Sequence, residues 1–209
     1  MGGEPEGVGG DCYDVISFGP CRAALSIADV VGKGIPAALL MSNLQAAVRA
    51  FASDANAPGA LCQQVNRILC GNIAEGRFIS FFYCITDTEA GTLTYANAGH
   101  YPPVLLRADG TCERLTEGGP VLGIFDDATY GTATVRMAPG DRLILYTDGI
   151  TEAMNADGDE FGEDRLIDSA TAHRADGAGV LRALISEELA AFADSGFHDD
   201  ATLIVLATT

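Results

Sequence analysis

Four short segments set an aspartate beside glycine, a turn or a second aspartate. They are Gly-Gly-Asp at Asp11, Ala-Asp-Val-Val-Gly-Lys-Gly at Asp29, Tyr-Thr-Asp-Gly at Asp148, and His-Asp-Asp at Asp199 and Asp200. Three of the four adjoin apolar runs that read as strands, so the carboxylates are expected to gather at strand ends over a core. Crowded carboxylates repel one another, and a divalent cation relieves the repulsion. Hard ions such as Mg²⁺ and Mn²⁺ take oxygen ligands, keep several waters, and need only a few carboxylates with a carbonyl or two. Asp11, Asp29, Asp148 and Asp199 supply that set, and the carbonyl of Val30 adds a ligand from the turn after a strand. Gly10, Gly32 and Gly149 allow close backbone approach. Two such ions about 4 Å apart can bridge a water, lower its pKa and hold a phosphate for in-line attack, which is hydrolysis without a phosphoenzyme. Each segment alone is weak, because an Asp at a turn is more often a cap or a surface residue. Their coincidence carries the reading.

The elements that must hold these residues are visible in the periodicity. Residues 12–18 and 22–30 are β-rich runs separated by Gly19-Pro20, the punctuation of a hairpin or tight loop. Pro36 stands where a first helical turn tolerates it, and Ala37, Met41, Leu44, Val48 and Phe51 recur at helical steps, which predicts one helix over about 35–53. A second helical pattern follows Pro58 through Leu61, Val65, Ile68 and Leu69. Residues 78–86, 92–96, 104–107 and 132–137 then read as the strands of an antiparallel meander. Residues 143–146 and 201–207 are continuous apolar runs expected to be strands buried on both faces, and Leu181, Ile185, Leu189 and Phe192 mark a helix between them. The order of strands, helices, strands, a last helix and a closing strand predicts an α+β fold with helices covering sheets.

Length and composition point to one domain over residues 1–209, with 48% hydrophobic residues to fill its core. Twelve basic against twenty-nine acidic residues, a formal net charge of −17, argue against nucleic acid or anionic lipid as the main partner and favour a cation. The six cysteines have no Cys-x-x-Cys spacing, and no N-x-Ser/Thr acceptor or signal peptide is present, so a reducing cytoplasm is the expected location. No apolar run approaches the roughly 20 residues a membrane span needs. The start of the chain close to the first motif suggests a domain cut from something longer.

The motifs GGDCYDV, ADVVGKGIPAALLMS, YANAGHYPPVLL, PGDRLILYTDGITEAMN, EFG and HDDATLIVL, in that order, resemble the metal-dependent protein phosphatases of type 2C, and most closely their bacterial SpoIIE/RsbU branch. The resemblance runs from residue 9 to residue 206. It implies a four-layer αββα sandwich of two antiparallel sheets flanked by helices, with a binuclear Mn²⁺ or Mg²⁺ site and protein serine/threonine phosphatase activity. Residue by residue, Asp11, Asp29, Asp148 and Asp199 match the metal-binding aspartates, and Val30 the metal-binding carbonyl. Asp200 matches a supporting position where other type 2C enzymes place Asn. Thr151, Glu152 and Asn155 match the helix after the third aspartate, where Glu152 supports the site. The resemblance further implies a phosphorylated anti-anti-sigma-type regulator as substrate, a setting in stress, sporulation or two-component signalling, and an N-terminal sensor in the parent chain, and it allows a homodimer without requiring one.

Other residues invite assignments of their own. Eukaryotic type 2C enzymes hold substrate phosphate with a basic residue near the first strand, whereas Arg22 is the nearest cation to Asp11 here, so phosphate is expected to lean on the metals. Lys33 is the nearest cation inside a motif, and the helix start beside it could help an anion as readily as Lys33 could be a solvated turn residue. His100 could protonate a serine leaving group, but Asn97-Ala98-Gly99-His100 reads first as a strand-to-strand turn. His173 and His198 carry no assignment. Residues 155–162, NADGDEFG, have Glu160 where a calcium loop needs glycine and Leu166 where it needs a bidentate Glu, so a calcium site is rejected. A catalytically silent partner-binding domain of the same fold is the alternative, disfavoured because all four aspartates are intact.

Overall fold

The computed structural model describes residues 9–53, 57–73, 76–193 and 200–208. In chain order its elements are β1 (Asp11–Ser17), β2 (Arg22–Val30), α1 (Ile35–Phe51), α2 (Pro58–Cys70), β3 (Ile79–Asp87), β4 (Thr92–Ala98), β5 (Val104–Leu106), β6 (Cys112–Arg114), β7 (Gly118–Gly119), β8 (Ala133–Arg136), β9 (Arg142–Tyr146), α3 (Asp148–Thr151), α4 (Gly162–Ala172), α5 (Ala178–Phe192) and β10 (Leu203–Ala207). They divide into two compact units, Met1–His100 with Glu117–Val135, and Tyr101–Thr116 with Arg136–Thr209. Each unit carries one sheet with helices on it, which is the α+β class the sequence predicts.

In the first unit the sheet order is β1-β2-β3-β4-β7, with β8 also pairing β4. Gly19, at φ 135°, takes the turn between β1 and β2 into a region that a side chain would resist, and the Phe18 amide closes it on the Arg22 carbonyl at 2.9 Å. The two strands then pair antiparallel from Asp11 opposite Asp29 to Ser17 opposite Ala23. Alternation sorts the central strands. Ala24, Ala28 and Val30 of β2 and Ile79, Phe81, Tyr83 and Ile85 of β3 join Leu40, Leu44 and Val48 of α1 and Leu61, Val65 and Leu69 of α2 in one core. Each fully buried Leu, Ile, Val or Phe side chain there contributes about 1.5–3 kcal/mol relative to exposure. Gly34, at φ 79°, leads into α1, and Pro36 sits in its first turn.

In the second unit the order is β10-β9-β5-β6, all antiparallel. All five residues of β9 are buried, as its apolar run predicts. Val104, Leu106, Ile144 and Tyr146 pack against Ile150, Phe161, Leu166, Leu181, Ile185 and Leu189, the residues through which α3, α4 and α5 attach.

The structure corrects the predicted meander. Residues 104–106 leave the first sheet and pair with β9 and β6 of the second. Pro102 and Pro103, with no N–H to donate, break the ladder after β4 and free the chain to change sheets. The first sheet is also not wholly antiparallel, because β7 pairs with β4 in parallel. A Cβ on Gly118 would collide with the Asn97 backbone, so only glycine lets that strand approach.

Candidate functional site

The first unit places Asp11 and Asp29 directly opposite each other at the open ends of β1 and β2. Opposite residues of an antiparallel pair share a face with Cβ atoms about 4.5–5.5 Å apart, and two like charges so placed are destabilising without a counter-ion. Both lie on the face away from α1 and α2, because their neighbours Cys12 and Val30 alternate with them. Gly10 extends the pairing by accepting from the Val30 amide at 3.1 Å. A Cβ on Gly10 would lie 2.8 Å from the Val30 carbonyl oxygen, 3.1 Å from Asp29 Oδ1 and 3.5 Å from the Gly32 carbonyl oxygen. Three oxygens therefore converge beside Gly10. This all-oxygen donor set fits a hard divalent cation and not a thiophilic one. Burial, with the Asp14 and Asp11 charges, raises the Cys12 thiol, so it stays neutral beside them. Cys62 and Cys84 are buried and pushed up to about 12, as inert core thiols.

His100 and Lys33 also belong to this unit. Lys33 is exposed, between Gly32 at φ 106° and Gly34 at φ 79°. His100 is buried, and its Nδ1 lies 2.9 Å from the Ser80 hydroxyl. Its backbone is clasped by Asn97, whose Oδ1 accepts from the His100 amide at 2.8 Å and whose Nδ2 donates to the His100 carbonyl at 3.0 Å. The turn reading of this segment holds, and Gly99 at φ 68° makes it. Ser80, which faces Asp29 across β2 and β3, is the residue that reading the sequence passed over. A serine amid Phe78–Thr86 carries no signal until the register is known.

The second unit holds the other aspartates. The buried strand β9 delivers Asp148 to the first position of α3. The Thr147 amide donates to the Thr202 carbonyl at 3.1 Å, and the Thr202 amide donates to Thr147 Oγ1 at 3.0 Å. This pairing draws residues 200–202 alongside, and a Cβ on Gly149 would strike the Asp200 carbonyl oxygen. Asp148, Gly149 and Asp200 are thus neighbours. Asp199 and His198 lie outside the described residues. Among the described residues no three His, Cys, Asp or Glu side chains close a metal cage by themselves.

The helix expected to carry Thr151, Glu152 and Asn155 is shorter than predicted. α3 ends at Thr151, and Glu152 and Asn155 lie beyond it. Asn155 Oδ1 accepts from the amides of Asp157 at 3.0 Å and Asp159 at 2.8 Å, closing a turn beyond the end of the helix. Exposed Glu152 accepts from the Tyr101 hydroxyl at 3.3 Å. Desolvation first, then the Glu152 and Asp148 charges, raises the Tyr101 phenol. Arg114 grips Glu163 through Nε at 3.0 Å and Nη2 at 2.8 Å, and the Tyr146 hydroxyl donates to the same carboxylate at 2.8 Å. The Arg114 bond, foremost, holds Glu163 below the usual carboxylate range. His173 pairs loosely with Asp176 and Glu188 near the surface.

Known proteins resemble this chain over most of its length. It is 30% identical over 228 residues to protein IcfG of Synechocystis, covering 95% of this chain and 36% of that one. It is 35% identical over 185 residues to the phosphoserine phosphatase RsbU of Bacillus subtilis, covering 87% of this chain and 54% of RsbU. The chain spans about a third to about half the length of the curated relatives it matches. The crystal structure of the RsbU and RsbW domains of a Mycobacterium tuberculosis protein matches at a TM-score of 0.80 and 27% identity, over 96% of this chain and 55% of that one. The catalytic domain of the serine/threonine phosphatase PstP, solved with two manganese ions, shares the fold at a TM-score of 0.61 and 16% identity, over 92% of this chain and 89% of that one. The family model described as stage II sporulation protein E matches residues 19–209, and the chain belongs to that SpoIIE family.

Proposed function

We propose that this chain is a Mn²⁺- or Mg²⁺-dependent protein serine/threonine phosphatase, with Asp11, Asp29, Asp148, Asp199 and the Val30 carbonyl as metal ligands. The observation that carries the reading is the facing pair Asp11 and Asp29, with the Val30 and Gly32 carbonyls beside them. Two ions, as many as PstP holds, would there polarise a water and neutralise phosphate charge. The residues themselves do the positioning. Strand register fixes the spacing of the first two carboxylates, and the Thr147–Thr202 pairing sets Asp148 beside Asp200. Lys33, two residues before α1, would help attract the phosphoprotein.

The substrate we propose is a phosphoserine or phosphothreonine on an anti-anti-sigma-type regulator, supported by the likeness to RsbU. An N-terminal sensor in the parent chain and a cytoplasmic setting belong to the same proposal. No helix among the described residues is long and apolar enough to cross a membrane. Purified protein should release phosphate from a phosphoserine peptide when Mn²⁺ is supplied and stop when a chelator is in excess. Undiminished turnover in excess chelator would refute the metal mechanism.

A further inference from the structure

The face of the first sheet that bears Asp11 and Asp29 continues one strand further. Asp29 is opposite Ser80 on β3, so Asp11, Asp29 and Ser80 form a single row across three strands. His100 ends the row through the 2.9 Å contact of its Nδ1 with the Ser80 hydroxyl. The imidazole is buried, and the Asn97 clasp fixes the backbone that carries it. Gly99 could bear no side chain without striking Val121, so the turn is built to one shape. Buried polar clasps cost desolvation and contribute no apolar packing, so their return lies in the position they enforce.

We propose that Ser80 is a positioning residue for Asp29, and that His100 sets the direction of its hydroxyl. A serine hydroxyl has one proton to donate and lone pairs to accept with. With His100 in the Nδ1–H form, the imidazole donates to Ser80 Oγ, and Ser80 turns its proton toward its cross-strand neighbour Asp29. The carboxylate is then held in one rotamer, ready for a divalent ion. Partners of this kind set ligand orientation, and their loss costs roughly 10- to 100-fold in metal affinity. The proposal rests on the metal-site reading above and adds two residues to it.

The test uses Ser80→Ala and Ser80→Thr in the whole chain, because His100 variants risk unfolding the turn. Calorimetric titration with Mn²⁺ should show Ser80→Ala binding about 10-fold more weakly than wild type, with Ser80→Thr restored to within about threefold. Nitrogen-15 NMR of the ring should report the Nδ1–H tautomer of His100 in the wild type. Equal Mn²⁺ affinity in Ser80→Ala and wild type, or an Nε2–H tautomer for His100, would overturn the proposal. Both readouts are independent of turnover. Normal ion binding without phosphate release would defeat the phosphatase reading alone, whereas a wild type that binds no Mn²⁺ would defeat both.

Discussion

The two units prepare aspartates by different physical means. In the first, strand register does it: Asp11, Asp29 and Ser80 are neighbours because three antiparallel strands pair in one frame. In the second, Asp148 opens a four-residue helix after a buried strand, and a glycine lets the Asp200 backbone come alongside. The first arrangement is set by the ladder, with Gly10 leaving room beside the Val30 carbonyl. The second depends on the absence of one methyl group. Alternation therefore announces the first kind of placement, while close backbone approach leaves only a glycine as its trace.

The largest effect should come from Asp29→Asn, which removes a proposed ligand and keeps its shape. Turnover of a phosphoserine peptide should fall roughly 10³-fold, as expected when several kcal/mol of metal-dependent stabilisation is lost.

Gly149→Ala tests the second unit. Its Cβ meets a backbone carbonyl that cannot step aside, so overpacking should cost about 1–3 kcal/mol, or roughly 3–10 °C in melting temperature. Gly10→Ala, whose nearest obstacle is the Val30 carbonyl at 2.8 Å, should lower the melting temperature less than Gly149→Ala and weaken Mn²⁺ binding more. Equal thermal losses would remove the distinction between the units.

Each unit also has an arginine–carboxylate pair, and these should differ with pH. Glu163 is held low in the folded state, so its contribution is fully present above the unfolded carboxylate value of about 4.3 and is lost as pH falls through that value toward the folded one. Glu163→Gln should flatten the acid side of the stability profile between about pH 5 and 3. The smallest effect is expected at Asp14, whose partner Arg49 is 59% exposed. Asp14→Asn should change stability by less than about 1 kcal/mol, and added salt should erase the difference.

Much of this architecture is legible in the sequence. Gly19-Pro20 marked the first hairpin, Pro36 with Leu44 and Val48 marked α1, and the apolar run 143–146 marked β9. The facing aspartates were legible as strand-end residues, though not their register. What the sequence does not show depends on long-range pairing. Residues 104–106 read like any short strand, and only two prolines hinted that they would join a different sheet. β7 is two glycines with no apolar pattern, and Ser80 acquires meaning only opposite Asp29. The helix after Asp148 ends early, and beyond its end Asn155 makes a local turn of the kind that competes with helix.

The central proposal is that Asp29 in the first unit and Asp148 in the second are each ligands of the divalent ions that phosphatase activity would use. Titrating Mn²⁺ calorimetrically into wild type, Asp29→Asn and Asp148→Asn measures this directly. The account predicts that each substitution weakens or abolishes ion binding, by roughly 100-fold or more for at least one ion. If either variant titrates like the wild type, that unit's aspartate is no ligand and the claim is contradicted.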